Sequence, residues 1–143
     1  RFLPLLEDEF VVVCAPSHPL AKKRRVPWSD VEKATWVISP VSSAARHQLD
    51  ELFASFSRPP SLSQVVTRVS AMTWAMLEAQ PLITLAPASV FRQLEQAARL
   101  VALPMASRLP MPPLGMALPQ RDVPAATQAV ADFLIDHCKA QTS

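Results

Sequence analysis

Glycine is nearly absent from this sequence. The 143 residues include one glycine, Gly115, against 15 prolines; average usage would give about ten and about seven. That shortage excludes chemistry. Dinucleotide fingerprints, P-loops and the strand-to-helix elbow that carries a nucleophilic serine all need glycines at fixed spacings. A glycine-loop phosphate cradle and a nucleophile elbow are therefore ruled out. Turns must be made by Pro, Ser and Asp, and most helix ends must do without a C′ glycine.

Other shortages narrow the field further. The two cysteines, Cys14 and Cys138, lie far apart, which is no disulfide framework and suits a reducing compartment. No apolar run approaches the roughly 20 residues that span a bilayer, so no membrane partner is expected. Net charge is +2, from 14 basic and 12 acidic residues, too small to argue for nucleic acid. Cys14 and His18 are spaced like a ligand pair and His137 adjoins Cys138. A zinc site needs three or four ligands, so the expectation is no metal, and no cofactor. Cys14 reads as a buried inert thiol. The basic run Lys22-Lys23-Arg24-Arg25 reads as a solvated loop, since four charges make few phosphate contacts. The chain opens at Arg1 without a signal-peptide pattern. It reads as a fragment of a longer protein.

What is present is an alternation of short apolar runs and amphipathic stretches. Phe10-Val11-Val12-Val13-Cys14-Ala15 predicts a strand buried on both faces. Ser29 and Glu32 have the spacing of a capping box opening a short helix. Trp36-Val37-Ile38 is a second strand. Leu49, Leu52, Phe53 and Phe56 make the stripe of a core-facing helix, capped by Ser42 or Ser43 and stopped by Pro59-Pro60. Residues 62–69 are β-branched and read as a third strand. A helix over 70–79 follows, with Met72, Ala75, Met76 and Ala79 on one face. Strands are expected at 82–86, 100–103 and 114–118, and helices at 87–98 and 124–141. The last helix has a stripe of Ala126, Val130, Phe133, Leu134 and His137. The proline-rich stretch 104–113 reads as a connection between subdomains. Trp28, Trp36 and Trp74 read as packing residues.

Strands alternating with helices imply right-handed βαβ units, an α/β fold and a mostly parallel sheet. Ligands in such sheets sit beyond the carboxyl ends of strands, where helix N-termini favour anions. Two turns stand out there: Val41-Ser42-Ser43 leading to Arg46, and Thr67-Arg68-Val69-Ser70. Serines at these places can cap a helix or donate to a ligand, and Arg46 can fork onto a carboxylate. The alternative is that Ser42, Ser43 and Ser70 are N-caps only and Arg46 is solvated.

The order of motifs resembles a known family. Leu6-Glu7-Asp8-Glu9-Phe10-Val11-Val12-Val13 followed by His18-Pro19-Leu20-Ala21 looks like the stretch entering the second subdomain of LysR-type transcriptional regulators. Val26-Pro27-Trp28-Ser29-Asp30-Val31, then Trp36-Val37-Ile38 with a Ser-rich turn and Arg46, also match. So do Leu85-Ala86-Pro87-Ala88-Ser89-Val90, Leu100-Val101-Ala102-Leu103-Pro104, Pro112-Pro113-Leu114-Gly115, and Pro124-Ala125-Ala126 ahead of Phe133-Leu134. The chain departs from many relatives in carrying Ala79-Gln80-Pro81 where they carry glycine.

The resemblance implies a type 2 periplasmic-binding-protein-like effector domain, three-layer αβα, with a small-molecule cleft between two subdomains. It implies that residues 1–104 form the second subdomain. Residues 105–143 would be the crossover plus the last strand and helix of the first. The DNA-binding domain would lie outside this chain. Val41, Ser42, Ser43, Arg46, Thr67, Val69 and Ser70 would be the effector-binding residues, with no catalytic residue. The implied function is effector sensing in a cytoplasmic bacterial regulator, not an enzyme. Its partners would be a small molecule, a carboxylate or other anion, and further copies in a homodimer or homotetramer. It would touch DNA only through the missing domain. A solute-binding protein or an enzyme of the same fold are the alternatives.

Overall fold

The apolar run after Glu9 forms a strand because β-branched residues suit a pleated surface and both of its faces are covered. In the computed structural model, which describes residues 1–38, 43–95 and 99–142, this strand is β2 (Glu9–Cys14), preceded by β1 (Phe2–Leu6). A 3-10 turn (Pro19–Lys22), α1 (Trp28–Val31) and β3 (Thr35–Trp36) follow. Next come α2 (Ala44–Ala54), β4 (Ser61–Leu62), α3 (Ser70–Ala79), β5 (Leu82–Pro87) and α4 (Ala88–Glu95). The chain closes with β6 (Val101–Ala102), β7 (Leu109–Pro110), β8 (Leu114–Ala117) and α5 (Ala125–Thr142). No helix among the described residues is long and apolar enough to cross a membrane.

The chain divides into a larger unit, Glu9–Met111, and a smaller one made of Arg1–Asp8 and Pro112–Ser143. This differs from the expected 1–104 and 105–143. The first eight residues belong with the C-terminal part because β1 pairs with β8. The stretch 104–111 stays with the larger unit because Leu109–Pro110 pairs with Glu9–Phe10 of β2. Pro110 is tolerated there at the end of a two-residue strand.

The larger unit is an α/β sandwich on a sheet of order β4-β3-β5-β2-β6, with β7 also paired to β2. The expected α/β architecture is present, but the sheet is mixed rather than mostly parallel. β3 runs parallel to β4 and β5, whereas β2 is antiparallel to β5, β6 and β7. The cause lies in the connection 15–34. It holds only two four-residue helical pieces, too short to carry the chain back across the sheet, so β3 starts at the end where β2 stops.

Side-chain alternation sorts the sheet residues into two cores. Phe10, Val12 and Cys14 of β2 and Ile83 and Leu85 of β5 face one side, covered by Leu49 and Leu52 of α2. Val13, Leu82 and Ala86 face the other side, covered by Leu77 of α3 and Phe91 of α4. Trp36 is 0% exposed. Its indole N–H donates to Val31 O at 3.2 Å, and its ring meets Phe53 edge-on at 5.4 Å, the arrangement aromatic pairs prefer. Leu49, also fully buried, contributes about 1.5–3 kcal/mol by leaving water.

Three local expectations are corrected. Pro27, not Ser29, takes the N-cap of α1, and no side chain caps it. Glu32 ends that helix, and its carboxylate turns to the backbone amides of Ser57 and Arg58. The strand expected at 62–69 shrinks to Ser61–Leu62. Beyond it the Ser63 and Thr67 hydroxyl oxygens accept the amide protons of Val65 and Val69, which offers the backbone an alternative to a ladder. In α3 the buried residue is Leu77, while Met72 of the expected stripe is exposed.

In the smaller unit β1 and β8 pair antiparallel. The one glycine sits where β1 crowds it. A Cβ on Gly115 would clash with the carbonyl oxygen of Leu3 and lie 2.6 Å from Cζ of Phe2. Asp122 adopts φ 54°, a left-handed turn position that glycine usually fills and Asp tolerates. On α5 Ala131 is buried, with Ile135 and Cys138 half-buried. Val130 and Phe133 of the expected stripe are exposed, Phe133 at 67% and stacked on His137.

Candidate functional site

Strands β3, β4 and β5 are parallel, so their carboxyl ends lie together, and the helices that follow start there. A cavity of about 390 Å³ occupies this place, wholly within the larger unit. Ser43 and Ala45 reach it from the start of α2, Thr67 and Arg68 from the turn before α3, and Ser70, Thr73 and Trp74 from α3. Thr84, Leu85, Ala86 and Pro87 of β5 and Val90 of α4 complete the lining. Three helix N-termini thus border one cavity. Each presents backbone N–H groups without intrahelical partners and a partial positive charge.

The local chemistry explains how these groups are held. Ser43 is the N-cap of α2, in extended conformation, and its Oγ accepts the Arg46 amide proton at 3.1 Å. Thr67 Oγ1 accepts the Val69 amide proton at 3.0 Å, folding the turn ahead of α3. Thr84 is 3% exposed, and its hydroxyl donates to Val37 O at 2.8 Å. The neighbouring Val37 amide donates to Ile83 O. Thr84 is therefore fixed by the β5–β3 pairing that the cavity rests on. Arg68 is the one charged residue among the described lining residues.

The residues expected from sequence separate here. Ser43, Thr67 and Ser70 line the cavity. Val41 and Ser42 lie outside the described residues. Arg46 turns its guanidinium to Asp50, with Nε 2.8 Å from Oδ1, and is not among the lining residues. Val69 is 59% exposed and takes the N-cap of α3, so Ser70 is the first helical residue and not a cap. Arg68, Thr73, Trp74, Thr84 and Val90 were not singled out from sequence as site residues. Arg68 was within reach, as the cation inside a turn already marked by its hydroxyls. Thr84 sits inside an apolar strand run and gives no such signal.

Other titratable groups stand apart from the cavity. Burial pushes the Cys14 thiol up to about 11, so it stays protonated and unreactive at neutral pH. His18 is buried. Its Nδ1 accepts the Leu20 amide proton at 3.1 Å, and the ring also bonds to the Pro81 backbone. Burial holds its pKa below the ordinary value, against the opposing effect of the Pro81 bond. From the basic run, Lys23 pairs with Asp30 at 2.6 Å.

Comparison with known proteins agrees with this architecture. Residues 1–139 match the LysR substrate binding domain family. The regulatory domain of CcmR from Synechocystis PCC6803, solved in complex with 2-PG, is 16% identical and superposes with a TM-score of 0.83, over 97% of this chain and 67% of that one. The effector binding domain of QuiR, in complex with shikimate, is 23% identical with a TM-score of 0.73, over 98% of this chain and 66% of that one. The HTH-type transcriptional regulator CysL of Bacillus subtilis (strain 168) is 33% identical over 60 residues, which is 41% of this chain and 20% of that protein. GbpR of Azospirillum brasilense is 23% identical over 110 residues, 76% of this chain and 32% of that protein. The chain spans only a fifth to a third of the length of these curated relatives. With a match over nearly its whole length and the mixed α/β architecture described above, the chain belongs to the LysR substrate-binding domain family and has its type 2 periplasmic-binding-protein-like fold.

Proposed function

We propose that this chain is the effector-sensing part of a cytoplasmic LysR-type transcriptional regulator, acting as a homodimer or homotetramer and catalysing no reaction. The observation that carries the reading is the cavity of about 390 Å³ bordered by the N-termini of α2, α3 and α4. It offers donors and partial positive charge to a small anion, and it lies in a chain of the LysR family. The ligand acts by binding one conformation of the regulator more tightly than another. A shift in how an attached DNA-binding domain meets its operator then follows from that differential affinity.

Ser43, Thr67 and Ser70 contact the effector in this reading, and Val41 and Ser42, outside the described residues, remain candidates from the sequence alone. Val69 and Arg46 hold the two turns in shape. Screening small organic anions by thermal shift tests the reading, since a ligand that binds only the folded state raises the melting temperature. Single alanine substitutions at Ser43, Thr67 and Ser70 should each weaken a verified ligand by about 0.5–1.5 kcal/mol, the net worth of one hydrogen bond. Unchanged affinity in all three variants sinks the assignment. Turnover of the bound ligand sinks the non-enzymatic part.

A further inference from the structure

The lining of the cavity beyond β5 has a polarity that restricts what can fill it. Among the described lining residues Arg68 is the one formal charge, and there is no Asp or Glu. A cation would meet the like charge of Arg68 and no counter-ion among these described residues. A carboxylate finds a guanidinium able to hold both of its oxygens.

Two hydroxyls of the lining have opposite uses. Thr67 Oγ1 already accepts the Val69 amide proton at 3.0 Å, which leaves the hydroxyl proton to donate. Thr84 is the buried polar residue of the lining, and its single hydroxyl proton goes to Val37 O at 2.8 Å. Toward a ligand, Thr84 offers lone pairs only. Trp74, Pro87 and Val90 supply apolar surface to the same cavity.

Resting on the reading that the effector occupies this cavity, we propose that the effector is a small hydroxycarboxylate, its carboxylate on Arg68 and Thr67 and a hydroxyl donating to Thr84. A zwitterionic amino acid is rejected, because its ammonium would lose water beside Arg68 with no acidic partner among the described lining residues. The parent acid without the hydroxyl is also rejected. A site built to accept a hydrogen bond discriminates strongly against a ligand that lacks the donor.

The test uses the purified chain and organic acids of varied carbon skeleton. Each skeleton is supplied as the hydroxy acid, the parent acid, the amide of the hydroxy acid and the corresponding amino acid. Calorimetry gives affinity, and tryptophan fluorescence, with Trp74→Phe as control, reports occupancy of the cavity. On any skeleton that binds, the hydroxy acid should win by about tenfold or more over the other three forms. Arg68→Gln should lower the affinity of the acids by about tenfold and leave the amide unchanged. Thr84→Val should bring hydroxy and parent acid level, and Thr84→Ser should restore the preference. Should the parent acid, amide or amino acid bind equally well with a Trp74 response, or Arg68→Gln change nothing, the hydroxycarboxylate assignment is overturned while the cavity remains the effector site. Should no form of any skeleton bind, the assignment and the reading beneath it fall together.

Discussion

The carboxylate of Glu32, just past the last turn of α1, accepts the backbone amide protons of Ser57 and Arg58, the latter at 3.2 Å. It ties the α1 segment to the chain leaving α2. Hydrogen bonds from Ser57, through its hydroxyl first, hold the Glu32 carboxyl below its ordinary pKa. A lowered folded pKa contributes stability above the unfolded value of about 4.3, and that contribution is lost as pH falls through the folded pKa. Glu32→Gln should therefore melt below the parent chain at pH 7, and the two should converge in acid. Melting curves at both pH values check this, and a gap of equal size at each would refute it.

His18 has the same sign of linkage for a different reason. Burial favours its neutral form, so the folded pKa lies below the ordinary value. The chain is expected to keep full stability from this group above about pH 6.5 and to lose it as pH falls through the folded pKa. His18→Asn retains an acceptor for the Leu20 amide but cannot charge. Its melting temperature should be flatter than the parent's between pH 7 and 5.

Gly115→Ala should destabilise the smaller unit by about 1–3 kcal/mol, the usual cost of overpacking. The added Cβ meets the Leu3 backbone and not a flexible chain end alone. Urea denaturation followed by circular dichroism measures the loss. A variant as stable as the parent would mean that β1 gives way at no cost.

Asp122 tests the opposite case, a left-handed position without glycine. Asp122→Gly should stabilise by about 0.5 kcal/mol, after the extra chain entropy of glycine is set against the relieved strain. Asp122→Val should cost about 1–2 kcal/mol. The order Gly, Asp, Val in urea midpoints is the expected result.

Much of the fold was readable because burial leaves a period in the sequence. The all-apolar Phe10–Ala15 run gave β2, and Leu49 and Leu52 gave the face of α2 that covers the first core. The bounds of α3, Ser70–Ala79, came out as expected. Strand direction was not readable, because the apolar run of β2 looks the same whichever way its neighbours point. Residues 63–69 misled for a related reason. Their β-branched composition suits a strand, but the hydroxyls of Ser63 and Thr67 take up backbone amides of the same stretch. The site divided likewise. Ser43, Thr67 and Ser70 were visible as hydroxyls at helix starts. Trp74 and Thr84 join them only because parallel β3 and β5 place one strand's end beside another helix's first turns.

The contrast between the two cysteines gives this chain a built-in pair of spectroscopic channels. A maleimide dye at neutral pH should leave the buried, protonated Cys14 alone and attach to the half-buried Cys138 on α5. All three tryptophans, Trp28, Trp36 and Trp74, lie in the larger unit, and Cys138 lies in the smaller. Indole emission and dye emission then follow the melting of the two units separately, in one sample, without a single substitution.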